Sequence, residues 1–290
     1  MKRLAVIVPC FNEQANISYS AKKLIHILDN MITKKMISND SFVLYVDDGS
    51  SDNTWDYIKK ISKLYYSRIK AIRLFCNLGH QTALACGMFN SEFDVCITLD
   101  ADLQDDINKI EEMMKLYYKG YDVVLGVKLN NYNDSFVMGQ IYKIFNFMIS
   151  IFNHNIVQHH ADFRLCSKRS IMWLKNNINP SNLFLRGKIV NAPFKISQVK
   201  YNIKKRKYGL PKYNLIKSIL LAKSGLIQAG ENFFINFYLM LILYKLIISS
   251  KKNILIRFLE FIFYLTSFRF LYLYKRKNCN LINSYIKESI

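Results

Sequence analysis

Short apolar runs alternate with helix-period segments along the first hundred or so residues. Residues 4–8, 42–46, 69–74, 95–99 and 123–126 are runs rich in Val, Ile and Leu, the length and composition of buried strands. Between them, apolar residues recur every three or four positions: Ile17, Ala21, Leu24, Ile25 and Leu28; Trp55, Ile58, Ile61 and Leu64; Ile107, Ile110, Met114 and Tyr117. That spacing predicts helices with one face turned to a sheet. Strand and helix in alternation predict βαβ units and an α/β fold with a mostly parallel sheet.

After Asn130 the alternation fades. A polar stretch, 130–134, precedes a helix-period segment from Phe136 to about Phe152, and a loop with His154, His159 and His160 leads to Ala161-Asp162-Phe163-Arg164-Leu165. A short helix near 171–176, a strand near 196–203 and a basic loop from Lys204 to Lys212 follow. From Leu215 the apolar residues keep helical spacing with Lys217 and Lys223 interspersed, an amphipathic helix suited to a membrane surface. The stretches 233–250 and 254–274 are longer and very apolar, but Lys245 interrupts the first, and Arg257, Glu260 and Arg269 the second. Neither reads as a clean spanning helix.

Charge sharpens this division. Of the net +20, the residues after Tyr201 carry 16 Lys and Arg against 3 Asp and Glu, or +13, leaving +7 for the first two-thirds. The expected organisation is a catalytic domain over 1–213 and a basic, membrane-associated region over 214–290. Because the basic residues sit among Leu, Ile, Phe and Tyr, the partner they fit is an anionic membrane surface and not nucleic acid. The six cysteines include no CxxC pair and fall mostly in core elements, as in a reduced cytosolic domain. Met1-Lys2-Arg3 precedes an apolar run that stops at Pro9, too short for a signal peptide, so it reads as the first strand.

The candidate chemistry lies at the ends of the strands. Asp100-Ala101-Asp102 closes one apolar run and Asp47-Asp48-Gly49-Ser50 another, at the carboxyl edge where open α/β sheets bind ligands. Asp102 is placed to reach a divalent cation, with Gln104 as a neutral oxygen ligand and Asp100 touching ribose or acting through water. Oxygen-only ligation favours Mg²⁺ or Mn²⁺ over zinc. Such a cation would stabilise the charge on a departing diphosphate. A lone acidic pair serves equally well to cap a helix. What changes the weighting is the company at the other strand ends: Val8-Pro9-Cys10-Phe11-Asn12-Glu13 and Asn77-Leu78-Gly79-His80.

These segments resemble the family 2 glycosyltransferases, and within them the polyprenyl-phosphate branch that includes dolichol-phosphate mannosyltransferase-like and bactoprenol glucosyltransferase-like enzymes. The resemblance runs from about Leu4 to Gln228. Besides the segments above it rests on Asn77-Leu78-Gly79-His80-Gln81-Thr82-Ala83-Leu84, Leu99-Asp100-Ala101-Asp102-Leu103-Gln104-Asp105-Asp106, Ala161-Asp162-Phe163-Arg164-Leu165 and Phe184-Leu185-Arg186-Gly187. It implies a GT-A (Rossmann-like) fold and inverting transfer from a UDP- or GDP-linked sugar to polyprenyl phosphate. It also implies a nucleotide site at Pro9, Asn12, Glu13, Asp47, Gly49, Asp100 and Ala101, a metal at Asp102 and Gln104, and Asp162 as the candidate base.

Relatives usually carry Arg soon after the fifth strand. Here Lys128 stands there, a point charge in place of a bidentate fork. Lys143 is a weaker match to a second basic position. Pro211-Lys212-Tyr213 resembles the family's Ser-Lys-Tyr segment, with Lys212 implied to grip a phosphate. An ionised lipid phosphate is already nucleophilic and needs no base, whereas a sugar hydroxyl does. Asp162 is therefore indispensable only for a hydroxyl acceptor, and its other reading is a structural carboxylate paired with Arg164.

The expectation is a transferase at the cytoplasmic face of a membrane, peripheral or shallowly inserted, making a lipid-linked sugar. A family 2 enzyme acting on a glycan hydroxyl and a non-catalytic nucleotide-sugar-binding subunit are the rivals. The sugar is not legible, and a homo-oligomer is left open.

Overall fold

Strands buried on both faces read as continuous apolar runs, because helices cover each side of the sheet. The computed structural model describes residues 1–129, 160–178, 183, 185–204 and 286–289. In chain order the elements are β1 (Leu4–Cys10), α1 (Gln14–Thr33), β2 (Phe42–Asp47), α2 (Thr54–Leu64), β3 (Ile69–Leu74), α3 (His80–Phe89), β4 (Val95–Thr98), α4 (Lys109–Tyr118) and β5 (Val123–Lys128). They continue with β6 (His160–Ser167), α5 (Lys168–Asn177), α6 (Leu185–Val190), β7 (Ile196–Tyr201) and β8 (Ile286–Ser289).

Among the described residues the strands form one sheet in the order β7-β5-β6-β4-β1-β2-β3-β8. β1 lies parallel to β2 and β4, β2 to β3, and β5 to β7. β6 is antiparallel to both β4 and β5, and β8 is antiparallel to β3. The expected α/β sheet is thus present, and each of the predicted strands falls within it. Two strands were not anticipated. The segment read as a loop and motif at 160–165 is β6, and the far end of the basic region contributes β8.

Period-two alternation sorts each strand between two cores. Leu4, Val6 and Val8 of β1 meet α1, α2 and α4 through Leu24, Ile58 and Ile110, while Ala5 and Ile7 meet α3, α5 and α6 through Leu84, Ile171 and Ile189. The amphipathic spacing predicted for α1, α2 and α4 is the spacing of most of their buried residues, but Leu64, in the last turn of α2, is exposed and Tyr117 is only partly buried. α3 escaped that reading because Ala83 to Met88 are all buried, leaving no polar face to define a period.

One consequence positions the site. β6 runs against its neighbours, so its amino end shares an edge with the carboxyl ends of β4 and β5. Residues from the later part of the chain thereby reach the edge built by the first half. The predicted helix at 136–152, Lys143, and the amphipathic and apolar stretches after Lys204 lie outside the described residues. Among the described residues no helix is long and apolar enough to cross a membrane.

The sheet is closely packed around Gly126, at the irregularity in β5–β6 pairing between Leu125 and Val127. A Cβ there would sit 2.7 Å from the Phe163 carbonyl oxygen, 2.9 Å from the Phe163 ring and 3.0 Å from that of Tyr201. Those two rings pack edge-on at 5.4 Å over the gap. Gly126→Ala is expected to destabilise the fold by about 1–3 kcal/mol through overpacking, measured as a lower urea midpoint; an unchanged midpoint would contradict this packing.

Candidate active site

Loops at the carboxyl edge are stitched together by side chains that the motifs supply. Asn12, at φ +52°, accepts through Oδ1 from the amides of Ser51 (2.9 Å) and Asp52 (3.3 Å), and its own amide donates to Ser50 Oγ at 2.9 Å. The Glu13 amide donates to Thr54 Oγ1 at 2.8 Å, and Glu13 Oε2 accepts from Asn16 Nδ2 at 2.6 Å. Buried Pro9 is the penultimate residue of β1, just before this junction. Gly49 takes φ +67°, and a Cβ would lie 2.4 Å from the backbone carbon of Cys76, so only glycine lets these two loops touch.

The two adjacent aspartates face opposite layers. Asp47 has the parity of Tyr45 and lies on the α2 side, wholly buried; its Oδ1 accepts from the Ser50 amide at 3.2 Å, and Oδ2 is 3.3 Å from Arg73 Nε. Burial raises its pKa, with Ser50 and Arg73 opposing. Asp48 turns towards α3 and receives the amides of Leu78 (2.8 Å) and Gly79 (2.9 Å), fixing the loop that ends in His80. Burial lifts it to about 6 despite those bonds.

The Asp100-to-Asp106 loop leaves β4 beside them, with Leu103 left-handed at φ +52°. Burial pushes the Asp100 carboxyl up, and the charges of Asp102 and Asp162 add to the shift while His80 and Lys128 oppose it. Asp105 is raised to about 6 by burial, with Lys128 3.7 Å away and the Tyr201 hydroxyl donating to it at 2.5 Å. The far side of the loop is strapped to the end of β7: the Lys204 amide donates to the Gln104 carbonyl at 2.8 Å, and Lys204 Nζ to Asp106 at 2.7 Å. The Gln104 amide donates to Asp102 Oδ1 at 3.2 Å.

Asp162 closes the site from β6. Arg164 pairs with its Oδ1; Arg186 Nη2 (3.1 Å) and Gln81 Nε2 (3.2 Å) donate to Oδ2, and His80 Nε2 is 3.4 Å from the same oxygen. His80 also lies 3.6 Å from Asp100 Oδ1, so it bridges the ends of β4 and β6. Burial alone would raise Asp162, but Arg186, Arg164 and His80 hold it well below the usual carboxylate range. Burial would lower His80, and Asp162 and Asp100 outweigh it. Arg164 is only 1% exposed, and its Nε and Nη1 have no hydrogen-bond partner among the described residues.

The expected residues Asp100, Asp102, Lys128 and Asp162 therefore converge, as their charge interactions record. Asp47 instead makes its contacts inside the sheet, and Lys212 and His159 lie outside the described residues. Sequence reasoning did not assign the roles of His80, Gln81 and Arg186 around Asp162, or those of Tyr201 and Lys204 against the acidic loop. The residues of the Asn77-to-Leu84 and Phe184-to-Gly187 segments were the available signal.

A divalent cation fits this edge. The donors are all oxygen, and the charges of Asp102 and Asp162 raise the proton affinity of Asp100, a repulsion that a cation relieves. Among the described residues no three His, Cys, Asp or Glu side chains form a site able to hold a metal ion alone. Hard cations bound through one or two carboxylates plus substrate phosphates need no such cluster.

With this edge in view, comparison with known proteins is decisive for the family. The sequence profile described as Glycosyl transferase family 2 matches residues 5–175, from β1 into α5. The chain belongs to glycosyltransferase family 2. It is 36% identical over 225 residues to the uncharacterized glycosyltransferase YkoT of Bacillus subtilis, covering 77% of this chain and 66% of that protein. It is 27% identical over 221 residues to an undecaprenyl-phosphate 4-deoxy-4-formamido-L-arabinose transferase of Serratia proteamaculans, covering 76% and 66%. The family 2 chain thus spans about two thirds of the length of these relatives. A glucosyl-3-phosphoglycerate synthase from Mycobacterium tuberculosis, solved with Mn²⁺, UDP-glucose and phosphoglyceric acid, superposes with TM-score 0.49 at 13% identity, over 79% of this chain and 80% of that one. At that level the likeness bears on neither donor nor metal. The sheet and flanking helices of this glycosyltransferase are the GT-A-like α/β architecture.

Asp48 supplies a pH test. Asparagine keeps one acceptor and turns an N–H towards the other amide, so Asp48→Asn is expected to cost about 1–3 kcal/mol. A carboxyl near 6 in the fold and about 3.9 unfolded binds its proton more readily when folded. Its stability contribution therefore grows as pH falls through 6. The advantage of the wild type over Asp48→Asn should be larger at pH 5 than at pH 7.5 in urea denaturation. A smaller advantage at pH 5 would reverse the assigned direction.

Proposed function

We propose that this glycosyltransferase moves a sugar from a UDP- or GDP-linked donor to the phosphate of a polyprenol, with inversion at the anomeric carbon. The observation that carries the reading is the state of Asp162. A carboxylate held by Arg164 and Arg186 well below its usual pKa is a poor proton acceptor at neutral pH. An acceptor hydroxyl needs such a base, whereas a phosphate monoester arrives ionised. Arg164 and Arg186 set two permanent positive charges against the single carboxylate of Asp162, which suits an anionic nucleophile. The undecaprenyl-phosphate transferase name of a relative supports the acceptor class.

In this reading a phosphate oxygen forms the new bond to the anomeric carbon. The bond to the donor's β-phosphate oxygen breaks, and its electron pair leaves on the nucleoside diphosphate. Asp102 and Gln104 hold Mg²⁺ or Mn²⁺, which supplies Lewis-acid stabilisation to that leaving group. Pro9, Asn12, Glu13, Gly49, Asp100 and Ala101 form the wall of the nucleoside site, and Asp47 fixes that wall from inside the sheet. Lys128 stands where it can exchange Asp105 for a donor phosphate, and Lys212 grips a phosphate from the basic loop. Residues 1–213 together with β8 are the catalytic part, and the stretch from 214 to β8 brings it to the cytoplasmic face of an anionic membrane.

The test incubates protein-containing membranes with a short polyprenyl phosphate, Mn²⁺ and a panel of UDP- and GDP-sugars, and reads the lipid fraction by mass spectrometry. Asp102→Asn is expected to cut turnover by about 10²–10³-fold, the scale of losing a leaving-group stabiliser. Asp162→Asn, assayed below its own melting temperature, should lose less than the roughly 10²–10⁴-fold expected when a general base is removed. If Asp162→Asn abolishes turnover and only hydroxyl acceptors gain sugar, the phosphate reading is wrong.

A further inference from the structure

Strand alternation gathers Arg73 and Glu288 with Asp47 on the α2 side of the sheet. Asp47 pairs across the β2–β3 ladder with Arg73, and Arg73 pairs across β3–β8 with Glu288. Trp55, the second residue of α2 and 2% exposed, lies against this row. Its indole Nε1 donates to Glu288 Oε2 at 3.1 Å, and the guanidinium carbon of Arg73 stands 5.7 Å from its ring centroid. Arg73 Nε in turn lies 3.3 Å from Asp47 Oδ2. Asp47 Oδ1 takes the Ser50 amide, and Ser50 Oγ takes the amide of Asn12.

We infer that Glu288 is a positioning residue for the donor nucleoside, acting through Trp55, Arg73 and Asp47 on the Ser50–Asn12 junction. Each link restricts the next. The carboxylate fixes the rotation of the indole, and the indole face limits where the guanidinium sits by a cation–π contact. The guanidinium attracts by charge, without a hydrogen bond, a carboxylate that has no exposure of its own, and that carboxylate holds the turn whose hydroxyl fixes Asn12. A residue more than 230 positions from Trp55 thereby shapes the loop pair at the ends of β1 and β2. The inference rests on the donor reading above for its ligand, while the relay itself is a matter of contacts.

The experiment compares full-length wild type with Glu288→Ala and Glu288→Gln. Glutamine keeps an oxygen acceptor for the indole N–H and alanine removes it. For Glu288→Ala the donor KM is expected to rise about tenfold with kcat little changed, the pattern of lost uniform binding. Glu288→Gln should stay near wild type. A role in stability alone would lower the melting temperature and the active fraction while leaving KM where it was.

Hydrogen exchange at the Ser50 and Asn12 amides, with and without UDP or GDP, provides the second readout. Faster exchange there in Glu288→Ala than in Glu288→Gln supports the relay whether or not nucleotide binds. Wild type that binds neither nucleotide would remove the donor reading. Wild type that binds while Glu288→Ala keeps its KM and its exchange rates would overturn the relay. Equal loss in Glu288→Gln and Glu288→Ala would overturn the assigned hydrogen bond.

Discussion

A carboxylate buried at the edge of a sheet must be matched by positive charge and hydrogen-bond donors, and Asp162 sets the terms for everything around it. Removing water from an ion costs several kcal/mol, which only close partners repay. Here they come from three places: Arg164 two residues along β6, Gln81 and His80 at the start of α3, and Arg186 in α6. The antiparallel insertion of β6 delivers that carboxylate to the edge. Asp162 therefore joins the later part of the chain to the first half as a physical clamp, and His80 extends the join to Asp100. A group so fully engaged is well placed to orient a charged acceptor and badly placed to take a proton.

The strand ends divide their work by parity. Asp47 and Asp48 are neighbours in sequence, yet one is committed to Arg73 and the α2 layer, the other to the loop before α3. The acidic loop after β4 follows the same rule, since Asp105 is taken by Tyr201 and Lys128 and Asp106 by Lys204. Of a strand-end cluster rich in aspartate, several members serve as internal struts. This is why a count of carboxylates overstates the ligands available to a cation.

Legibility in the sequence followed burial pattern. Two-sided strands are apolar throughout and amphipathic helices have a period, so β1 to β5, β7, α1, α2, α4 and α5 were readable. α3 is buried all round and has no period. β6 was hidden because its sheet positions include Asp162 and Arg164, whose polarity disguises a strand until their mutual pairing is seen. β8 is four residues long and mostly exposed, and its pairing with β3 spans more than 200 positions, a distance at which no local pattern speaks. For the site, the acidic doublets stood out because strand ends in an open α/β sheet are where ligands bind. Arg186, Trp55 and Glu288 did not, since their meaning lies in contacts between distant segments.

The two ends of the basic, apolar stretch bear on how an acceptor would arrive. β7 runs parallel to β5, so the chain departs at Lys204 on the carboxyl edge, where its amide already holds Gln104. It returns at Ile286, opposite Leu74 at the carboxyl end of β3. β7 and β8 are the two outermost strands, so departure and return flank the whole row of strand ends. The intervening residues, 205–285, hold most of the excess positive charge in this part of the chain. Under the lipid-acceptor reading, a surface that attracts this stretch is drawn to the edge carrying Asp102, Asp162 and Arg186. Attachment at the opposite edge would have left the acceptor a sheet's length from the donor, and a freely diffusing acceptor would gain nothing from either arrangement.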